Sequence, residues 1–359
     1  MKIAILYGGK SAEHEISVTS ANNVLKNIDK KTFEPVLIKI DKSGNWLTDK
    51  SMIIDNTFSN VDNLEDFQPE DRLLLNPGNK NPFIVDDLSF GVDAVFPVLH
   101  GPNGEDGSVQ GLLKILDLPF VGPSVLGSAV GMDKEVMKRL LKEAGIKIGK
   151  YLVARYGEYP DFDTVESSLG LPVYIKPANM GSSVGISRVT DKKQYEKAIE
   201  LAYQFDTKLV IEANIEGREV ECAILGNEKP EASIPGEVAA SKGFYDYESK
   251  YLDDNGYEIK IPADLDNDTT QKVREIALDT FKVLECEGLS RVDVFVTKDN
   301  DILVNEINTL PGFTSISMYP MLWRKSGIEY TGLISKLINL AIARYKRDQK
   351  LKTSIESSI

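Results

Sequence analysis

Two carboxylates and an amide in the last quarter of the chain have the residue types and spacing of a magnesium site. Asp293 lies in the alternating run 291–296, and Glu306 and Asn308 lie in the alternating run 302–308. This alternation predicts two strands, and the polar turn between them predicts a hairpin. Carboxylate and amide oxygens are hard ligands that suit Mg²⁺. Without a cation, two carboxylates ~4 Å apart would repel by about 4 kcal/mol at an effective dielectric near 20.

Strict alternation also predicts which residues of the hairpin share a face. It groups Asp293 with its i−2 and i+2 neighbours, Arg291 and Phe295. On the second strand it groups Val304 with Glu306 and Asn308. If the register matches, Asp293, Glu306 and Asn308 converge on one spot.

A glycine- and serine-rich segment, residues 176–185, adds a candidate phosphate site. Its glycines let backbone N–H groups approach phosphate oxygens, its serines add donors, and Lys176 adds a positive charge. Alone, this segment is a weak signal, because a plain hairpin turn explains it equally well. Beside the acidic hairpin it indicates nucleotide chemistry.

Two other motifs near the amino terminus do not support a site of their own. Gly8-Gly9-Lys10-Ser11 follows a strand, but Ala4 stands where a Walker A loop needs its first glycine. The segment around His14 lacks the second histidine of a zinc helix, so we interpret His14 as an exposed residue.

His100 follows a predicted strand at a position where parallel sheets hold ligands, although a structural histidine is the alternative.

The bulk composition predicts a soluble globular protein. The chain has 359 residues, which indicates two or three domains, with 42% hydrophobic and 27% charged residues. Its net charge of −13 argues against nucleic acid as a partner, and no apolar run approaches the ~20 residues that a membrane helix needs. The cysteines, Cys222 and Cys286, lie in apolar surroundings and are expected to be reduced thiols in a cytoplasmic protein.

Strands alternating with helices in the first third of the chain predict a parallel α/β sheet. Residues 43–90 are polar and weakly patterned, so we interpret them as an insertion. Residues 239–260 form a long polar loop, for which a closing lid and an interaction surface are alternative interpretations. The predicted elements are strands 2–7, 33–41, 92–99, 150–154, 173–176, 185–189, 209–213, 219–225 and 232–237, and helices 17–27, 108–116, 133–144, 195–203, 269–286 and 330–347.

The helix predicted over residues 133–144 is amphipathic. Its apolar stripe is formed by Val136, Met137, Leu140, Leu141 and Ala144. Gly145 follows the stripe and is expected to end the helix.

Taken in order, four motifs resemble those of the D-alanine–D-alanine ligase family within the ATP-grasp superfamily. They are residues 7–17, 100–107, 176–185 and 305–314, and the resemblance extends over nearly the whole chain. It implies an α/β fold with α+β character in the ATP-binding part. The implied domains are a Rossmann-like substrate domain at 1–122, a central ATP-grasp subdomain at 123–212 and a carboxyl-terminal ATP-grasp subdomain at 213–359.

The resemblance also implies a role for particular residues. Asp293, Glu306 and Asn308 would bind two Mg²⁺ ions, with Glu306 bridging them. In the ATP site, lysines contact the phosphates, the glycine-rich segment closes over them, a hinge holds adenine, and Glu219 takes the ribose hydroxyls. The implied ATP-binding residues are Lys134, Lys176, Gly181, Ser182, Ser183, Glu212, Ala213, Ile215, Glu219, Lys250, Asn305 and Glu306.

The same resemblance implies the D-alanine sites. Glu13 would face the ammonium of the first D-alanine, with His100 near its carboxylate. Arg291 and the Gly312 N–H would form an oxyanion hole. Ser182 and Tyr251 would join Glu13 in a hydrogen-bonded set that holds the lid, while Ser317 and the Met318 backbone would hold the carboxylate of the second D-alanine.

The implied activity is ATP-dependent ligation of two D-alanines through an acyl phosphate, for peptidoglycan precursor synthesis. The implied cofactors are ATP and Mg²⁺, with Mn²⁺ as an alternative ion and a monovalent cation as a further candidate. The implied assembly is a cytoplasmic homodimer that binds no nucleic acid and no membrane. The alternatives are a depsipeptide ligase that accepts D-lactate and a catalytically silent ATP-grasp binding module, which the presence of every metal ligand and of Arg291 argues against.

Tyr251→Phe is expected to raise the use of D-lactate as acceptor, because the family places tyrosine here in dipeptide-forming ligases and phenylalanine in some lactate-using ones. The measurement is the ratio of depsipeptide to dipeptide formed when D-lactate and D-alanine compete, with the wild-type protein as control. An unchanged ratio would show that this interpretation of Tyr251 is wrong.

Overall fold

The computed structural model describes residues 1–240 and 257–352. In this part of the chain, three larger sheets follow one another along the sequence, and a small three-stranded sheet is added to the first. No helix of the described ranges is both long enough and apolar enough to cross a bilayer.

The first sheet is parallel at its centre, as predicted. Its order is β4-β3-β2-β1-β8, and β1 pairs in parallel with both β2 and β8. The central strands are buried on both faces, which explains their continuous apolar sequences. Its elements and those of the small sheet are β1 (Lys2–Gly8), α1 (His14–Asn27), β2 (Glu34–Ile40), β3 (Trp46–Thr48), α2 (Lys50–Asp55), a 3₁₀ turn (Phe58–Asn60), β4 (Asp71–Arg72), β5 (Leu74–Leu75), β6 (Phe83–Val85), β7 (Leu88–Phe90), β8 (Ala94–Leu99) and α3 (Ser108–Ile115).

The stretch interpreted as an unpatterned insertion holds regular structure. It carries the antiparallel edge strands β3 and β4, helix α2, and the small sheet β5-β6-β7. Strands of two or three residues are too short to show a periodicity, so the sequence pattern could not reveal them.

The second sheet is antiparallel, in the order β11-β10-β12-β9. Helices α6 and α7 pack on it around a core that includes Val165, Ile175, Tyr195, Ile199 and Ile211. This region consists of α4 (Val125–Met132), α5 (Lys134–Glu143), β9 (Tyr151–Arg155), α6 (Phe162–Leu169), β10 (Val173–Pro177), β11 (Ser187–Val189), α7 (Lys192–Ala202) and β12 (Lys208–Ala213).

The third sheet has the order β16-β15-β13-β17-β18, with β14 paired to β13. The strand predicted over 232–237 is two separate strands, β14 and β15. Helix α9 packs on β13 of this sheet, and α10 packs against both this sheet and β8 of the first one. Next to them, Phe313 meets Phe96 edge to face at 5.6 Å. The region consists of β13 (Gly217–Gly226), β14 (Glu231–Ala232), β15 (Gly236–Ala240), β16 (Tyr257–Lys260), α8 (Asn267–Val283), β17 (Gly288–Thr297), β18 (Ile302–Asn308), α9 (Met318–Lys325) and α10 (Tyr330–Asp348).

Helix α5 does not bury the stripe that its sequence predicted. Met137 and Leu141 enter the core of the third sheet, but Leu140 and Ala144 are exposed. Lys134 and Lys138 are buried instead. The reason is that α5 lies between the third sheet and the cleft that faces the second sheet, where ion pairs allow charged side chains to be buried.

The prediction of two reduced, buried cysteines agrees with the structure. Cys222 and Cys286 are both free and buried. Burial raises the pKa of the Cys222 thiol to about 12, so this side chain is a core residue rather than a nucleophile.

Candidate active site

The acidic hairpin forms as predicted. Strands β17 and β18 are antiparallel, with Asp293 opposite Glu306 and Arg291 opposite Asn308. A β-bulge interrupts the register after Asp293, and the extra residue is Asn305. The bulge turns both Asn305 and Glu306 towards the same cavity.

The bulge also corrects the predicted placement of Val304. That residue pairs with Val294 and belongs to the buried core under the sheet. It therefore does not share a face with Glu306 and Asn308. Strict alternation fails here because one inserted residue reverses the side to which the following side chains point.

Arg291 is the centre of a buried charge network beside the hairpin. Its guanidinium donates to both carboxylate oxygens of Asp293 at 2.7 Å and lies 2.8 Å from Glu221 Oε2. Burial alone would lower the pKa of Arg291, but Asp293 and Glu221 together raise that pKa well above its ordinary value. The cation is thus fixed in place before any ligand arrives.

The residues expected to hold Mg²⁺ fit that ion. Asn308 Oδ1 is buried and accepts no hydrogen bond from the described residues, so it is an acceptor that requires a cation or donor. Within the described ranges no group of three or more His, Cys, Asp and Glu side chains forms a metal site. Asp293 and Glu306 therefore need the Asn308 amide oxygen to complete a hard, oxygen-only set.

A cavity of about 300 Å³ lies between the second and third sheets. Its polar end holds Lys134 and Glu306, and its apolar wall is formed by Ile186, Ile215 and Phe295. Of the residues expected to bind ATP, Lys250 lies outside the described residues. The others line this cavity: Lys134, Lys176, Gly181, Ser182, Ser183, Glu212, Ala213, Ile215, Glu219, Asn305 and Glu306.

Lys134 connects the glycine-rich segment to the hairpin. Its Nζ donates to the Met180 carbonyl at 2.7 Å and lies 3.6 Å from Glu306 Oε2. The lysine is at the first position of α5, directly after Asp133, whose side chain accepts from backbone N–H groups of the first helical turn. The helix start thus fixes where this ammonium is presented.

A second cavity, of about 130 Å³, adjoins the first. It contains the residues expected at the D-alanine sites, except Tyr251, which lies outside the described residues. These are Glu13, His100, Ser182, Arg291, Gly312, Ser317 and Met318.

Glu13 and Ser182 are in contact across this cavity, with the Ser182 hydroxyl donating to the Glu13 carboxylate. Gly181 lies directly over the same carboxylate, because a Cβ there would be 3.4 Å from Glu13 Oε2. This contact joins the loop between β1 and α1 to the glycine-rich segment. The glycine-rich segment is therefore closed against the second cavity.

Glu105 is a buried carboxyl group in the same cavity. Its Oε2 accepts from the Gly101 N–H at 2.7 Å. Burial and the neighbouring Glu13 raise its pKa from 4.5 to about 8, against the opposing effect of the Gly101 N–H, Lys134 and Arg291. Near neutral pH this side chain holds its proton.

The interpretation of His14 as an exposed residue is wrong. His14 is buried, and its Nδ1 lies 2.8 Å from the Gly9 carbonyl. It is the first residue of α1 and fills the space under the turn that follows β1. This packing fixes the turn that presents Glu13.

His100 is connected to the loop before α9 through one hydroxyl. Ser20 Oγ lies 3.3 Å from His100 Nε2 and accepts from the Phe313 N–H at 3.2 Å. Ser317 Oγ accepts from the Thr314 N–H at 3.0 Å in the same loop. The positions of His100, Gly312 and Ser317 are therefore coupled.

Two family models match the chain. One, described as the D-ala D-ala ligase N-terminus, matches residues 2–123, and the other, described as the D-ala D-ala ligase C-terminus, matches residues 140–339. The chain belongs to the D-alanine–D-alanine ligase family.

Relatives of the ligase family match over almost their full length. A D-alanine–D-alanine ligase of Oceanobacillus iheyensis is 49% identical over 98% of both chains. The D-alanine–D-alanine ligase A of Escherichia coli K12 is 46% identical over 99% of both chains.

Solved structures of ligases show the same fold. The D-alanine-D-alanine ligase of Coxiella burnetii superposes with a TM-score of 0.85 at 35% identity, over 98% of this chain and 96% of that one. The VanG D-Ala:D-Ser ligase of Enterococcus faecalis gives a TM-score of 0.82 at 36% identity, over 95% and 99%.

The sequence analysis did not predict three residues that line these cavities, although the sequence spacing or motif gave an indication of each. Lys138 follows Lys134 by one helical turn, which puts both on one face. Glu221 follows Glu219 by two residues on a strand. Glu105 lies inside the quoted motif at 100–107.

Single replacements of Ser182 and Ser183 in the glycine-rich segment should distinguish the functions of the two cavities. Ser182→Ala removes the donor to Glu13, so we expect kcat/KM for D-alanine to fall about tenfold or more. Because Ser182 also lines the first cavity, KM for ATP should rise as well. Ser183→Ala is the matched variant, since both residues have positive φ, 50° and 59°, and the backbone cost is alike. Ser183 lines only the first cavity, so its replacement should raise KM for ATP and leave kcat/KM for D-alanine little changed. In steady-state kinetics with each substrate varied, an equal fall of kcat/KM for D-alanine in both variants would contradict this.

Glu105→Gln should make the free energy of unfolding less dependent on pH. Between pH about 4.5 and about 8 the folded protein keeps a proton that the unfolded chain releases, so stability falls as pH rises through this window. The amide cannot titrate but can still accept from Gly101.

The measurement is the thermal midpoint without ligands at about pH 6 and about pH 8.5, which should fall by several degrees more in the wild type than in the variant. Glu70→Gln, at an exposed position, is the control. An equal fall in Glu105→Gln and wild type would contradict the assigned protonation.

Proposed function

We propose that this protein ligates two D-alanines to D-alanyl-D-alanine at the expense of ATP, through an acyl phosphate, for peptidoglycan precursor synthesis in the cytoplasm. The observation that supports this most is that the two cavities share one wall. Lys134, Gly181, Ser182, Arg291 and Glu306 line both of them. A phosphoryl group held in the first cavity therefore has access to a carboxylate held in the second.

The first step needs an activated carboxylate, because a free carboxylate is a poor electrophile. In-line transfer of the γ-phosphoryl group depends on positioning and charge neutralisation. Lys134 lies on the shared wall, and Lys176 stands at the start of the glycine-rich segment, residues 176–185, which we propose as the phosphate loop. Asp293, Glu306 and Asn308 would hold two Mg²⁺ ions, which supply further neutralisation of phosphate charge when bound, with Mn²⁺ and an activating monovalent cation as additional proposals.

The first D-alanine is oriented by groups at the far end of the second cavity. Its ammonium would face Glu13, and its carboxylate would lie near His100. Glu105, whose pKa is raised by burial and by Glu13, adds no second negative charge beside Glu13 near neutral pH.

The second step is attack of the free amine of the other D-alanine on the acyl phosphate. The tetrahedral oxyanion would be met by Arg291 and the Gly312 N–H, and loss of one such donor typically costs ~2.7–4 kcal/mol. Ser317 and the Met318 backbone would hold the carboxylate of the attacking molecule. Closure of the phosphate loop against Glu13, together with Lys250 and Tyr251, would exclude water that hydrolyses the acyl phosphate.

The three sheets support the division into 1–122, 123–212 and 213–359, which we propose as the domains of this protein. Helix α5 belongs to the segment 123–212, but it packs on the third sheet. The beginning of that segment therefore shares a core with residues 213–359. We also propose that the protein forms a homodimer, the commonest assembly among soluble oligomeric enzymes.

D-Lactate and D-serine are the acceptors that compete with D-alanine in this proposal. Tyr251 favours the dipeptide over the D-lactate product. D-Serine is included because one structural neighbour is named as a D-Ala:D-Ser ligase. A silent binding module is disfavoured by the intact set of Arg291, Asp293, Glu306 and Asn308.

The experiment measures phosphate release from ATP and Mg²⁺ with D-alanine alone, L-alanine alone, or D-alanine with D-lactate or D-serine, and identifies each product by mass. Phosphate release that requires D-alanine and yields D-alanyl-D-alanine in the presence of both competitors is the expected result. A mixed product would overturn the acceptor assignment, and no turnover despite ATP binding would overturn the proposed reaction.

A further inference from the structure

Lys138 is a buried lysine that the proposed reaction does not use. It lies on α5, one turn after Lys134, and only 2% of its surface is exposed. Its Nζ is 2.8 Å from Glu212 Oε1. The side chain lines the cavity of about 300 Å³ in which we propose that ATP binds, called the nucleotide cavity below. A buried ammonium is costly unless it is paired, so this contact is a fixed part of the cavity wall.

Glu212 is held by a different lysine at each carboxylate oxygen. Lys138 is at Oε1, and Lys176 Nζ lies 2.6 Å from Oε2. Burial by itself would raise the pKa of Glu212, but the two lysines together lower it to about 2. Near neutral pH, Glu212 is therefore a carboxylate, which accepts hydrogen bonds and donates none.

The two lysines differ in what else they face. Lys176 also interacts with Glu306 and Glu219, and it precedes the phosphate loop, so bound phosphates compete for its ammonium. Lys138 faces the ring of Tyr151 on β9, 5.7 Å from its centroid, whereas the loop follows β10 on the other side of β12. Lys138 is thus the partner that Glu212 keeps when phosphates attract Lys176.

Glu212 is next to the part of the cavity that suits a nucleobase. It is the penultimate residue of β12, and the segment that follows, with Ala213 and Ile215, forms the link to β13. Ile186, Ile215 and Phe295 give this part of the cavity its apolar walls. A flat aromatic base fits such walls, while its polar edge needs partners at the rim.

We propose that Lys138 is a positioning residue that keeps the Glu212 carboxylate directed at the nucleobase and thereby sets the preference for adenine over guanine. The inference rests on the proposed function, in that it requires ATP in this cavity. Adenine presents an exocyclic amino donor, whereas guanine presents a carbonyl acceptor at the equivalent atom. An ionised acceptor fixed at that edge accepts from adenine and repels guanine.

The test compares Lys138→Met and Lys138→Arg with the wild type. Lys138→Met keeps the length and apolar stem but releases Glu212 from one side. We expect KM for ATP to rise about tenfold or more with KM for D-alanine unchanged, and the ratio of kcat/KM for ATP to that for GTP to fall by a similar factor. Lys138→Arg keeps the charge and should restore most of the preference.

Lys208→Met is the matched control. Lys208 is also a largely buried lysine paired with acidic residues, being 2.5 Å from Asp133, which precedes α5, and 3.1 Å from Glu135 in its first turn. It does not line the nucleotide cavity. Its loss should lower the thermal midpoint without changing the ATP to GTP ratio. An equal change of that ratio in both methionine variants, or no change in Lys138→Met, would overturn the proposal.

Calorimetric dissociation constants for ATP and GTP keep this test independent of ligation. A protein that binds both nucleotides but forms no dipeptide would refute the proposed function, while the ratio of the two constants in wild type and Lys138→Met still decides the role of Lys138. If Lys138→Met does not fold, Lys138→Gln, which can donate but carries no charge, takes its place under the same criteria.

Discussion

The structure depends on the pairing of opposite charges inside the cleft between the second and third sheets. Three lysines and an arginine are brought out of water there, and each is beside a carboxylate: Lys138 and Lys176 at Glu212, Lys134 at Glu306, and Arg291 between Asp293 and Glu221. A buried charge without its partner would destabilise the fold by several kcal/mol, of the order of 3–5. The pairs therefore specify how α5, β10, β12 and the hairpin lie relative to one another.

The same pairs prepare the cleft for its ligands. Phosphates and a divalent cation bring charges of both signs, and they can exchange partners with groups that are already in place. Arg291 illustrates this, since it occupies both oxygens of Asp293 while Asn308 Oδ1 remains without a donor in the described part of the chain. The charged groups that these ligands would contact are thus already placed in the cleft, which is what electrostatic catalysis demands.

The sequence predicted the features that depend on local pattern. The parallel first sheet, the hairpin and the pairing of Asp293 with Glu306 follow from strand alternation and turn chemistry. Helix α4, with the sequence Val125–Met132 rich in glycine and small residues, gave no stripe and was missed. The bulge at Asn305 was missed because an inserted residue leaves no mark on composition.

Features that depend on tertiary contacts could not be predicted in this way. Lys138 is buried because it pairs with Glu212, which is distant in sequence. A sequence pattern that assigns charged residues to the surface could not place Lys138 on a buried face of α5. His14 was misplaced for a similar reason, as its partner is a backbone carbonyl rather than a side chain. The D-alanine and ATP roles came from resemblance to a family, and the geometry that supports them is the wall that the two cavities share.

The most direct test of that shared wall is to follow carboxylate oxygen from substrate to product. D-Alanine labelled with ¹⁸O in its carboxylate is incubated with ATP, Mg²⁺ and the protein, and the released phosphate is analysed by mass. Transfer of the γ-phosphoryl group to the carboxylate, followed by attack of the amine, predicts a single ¹⁸O atom in each phosphate. Unlabelled phosphate, or label recovered in AMP, would contradict the account.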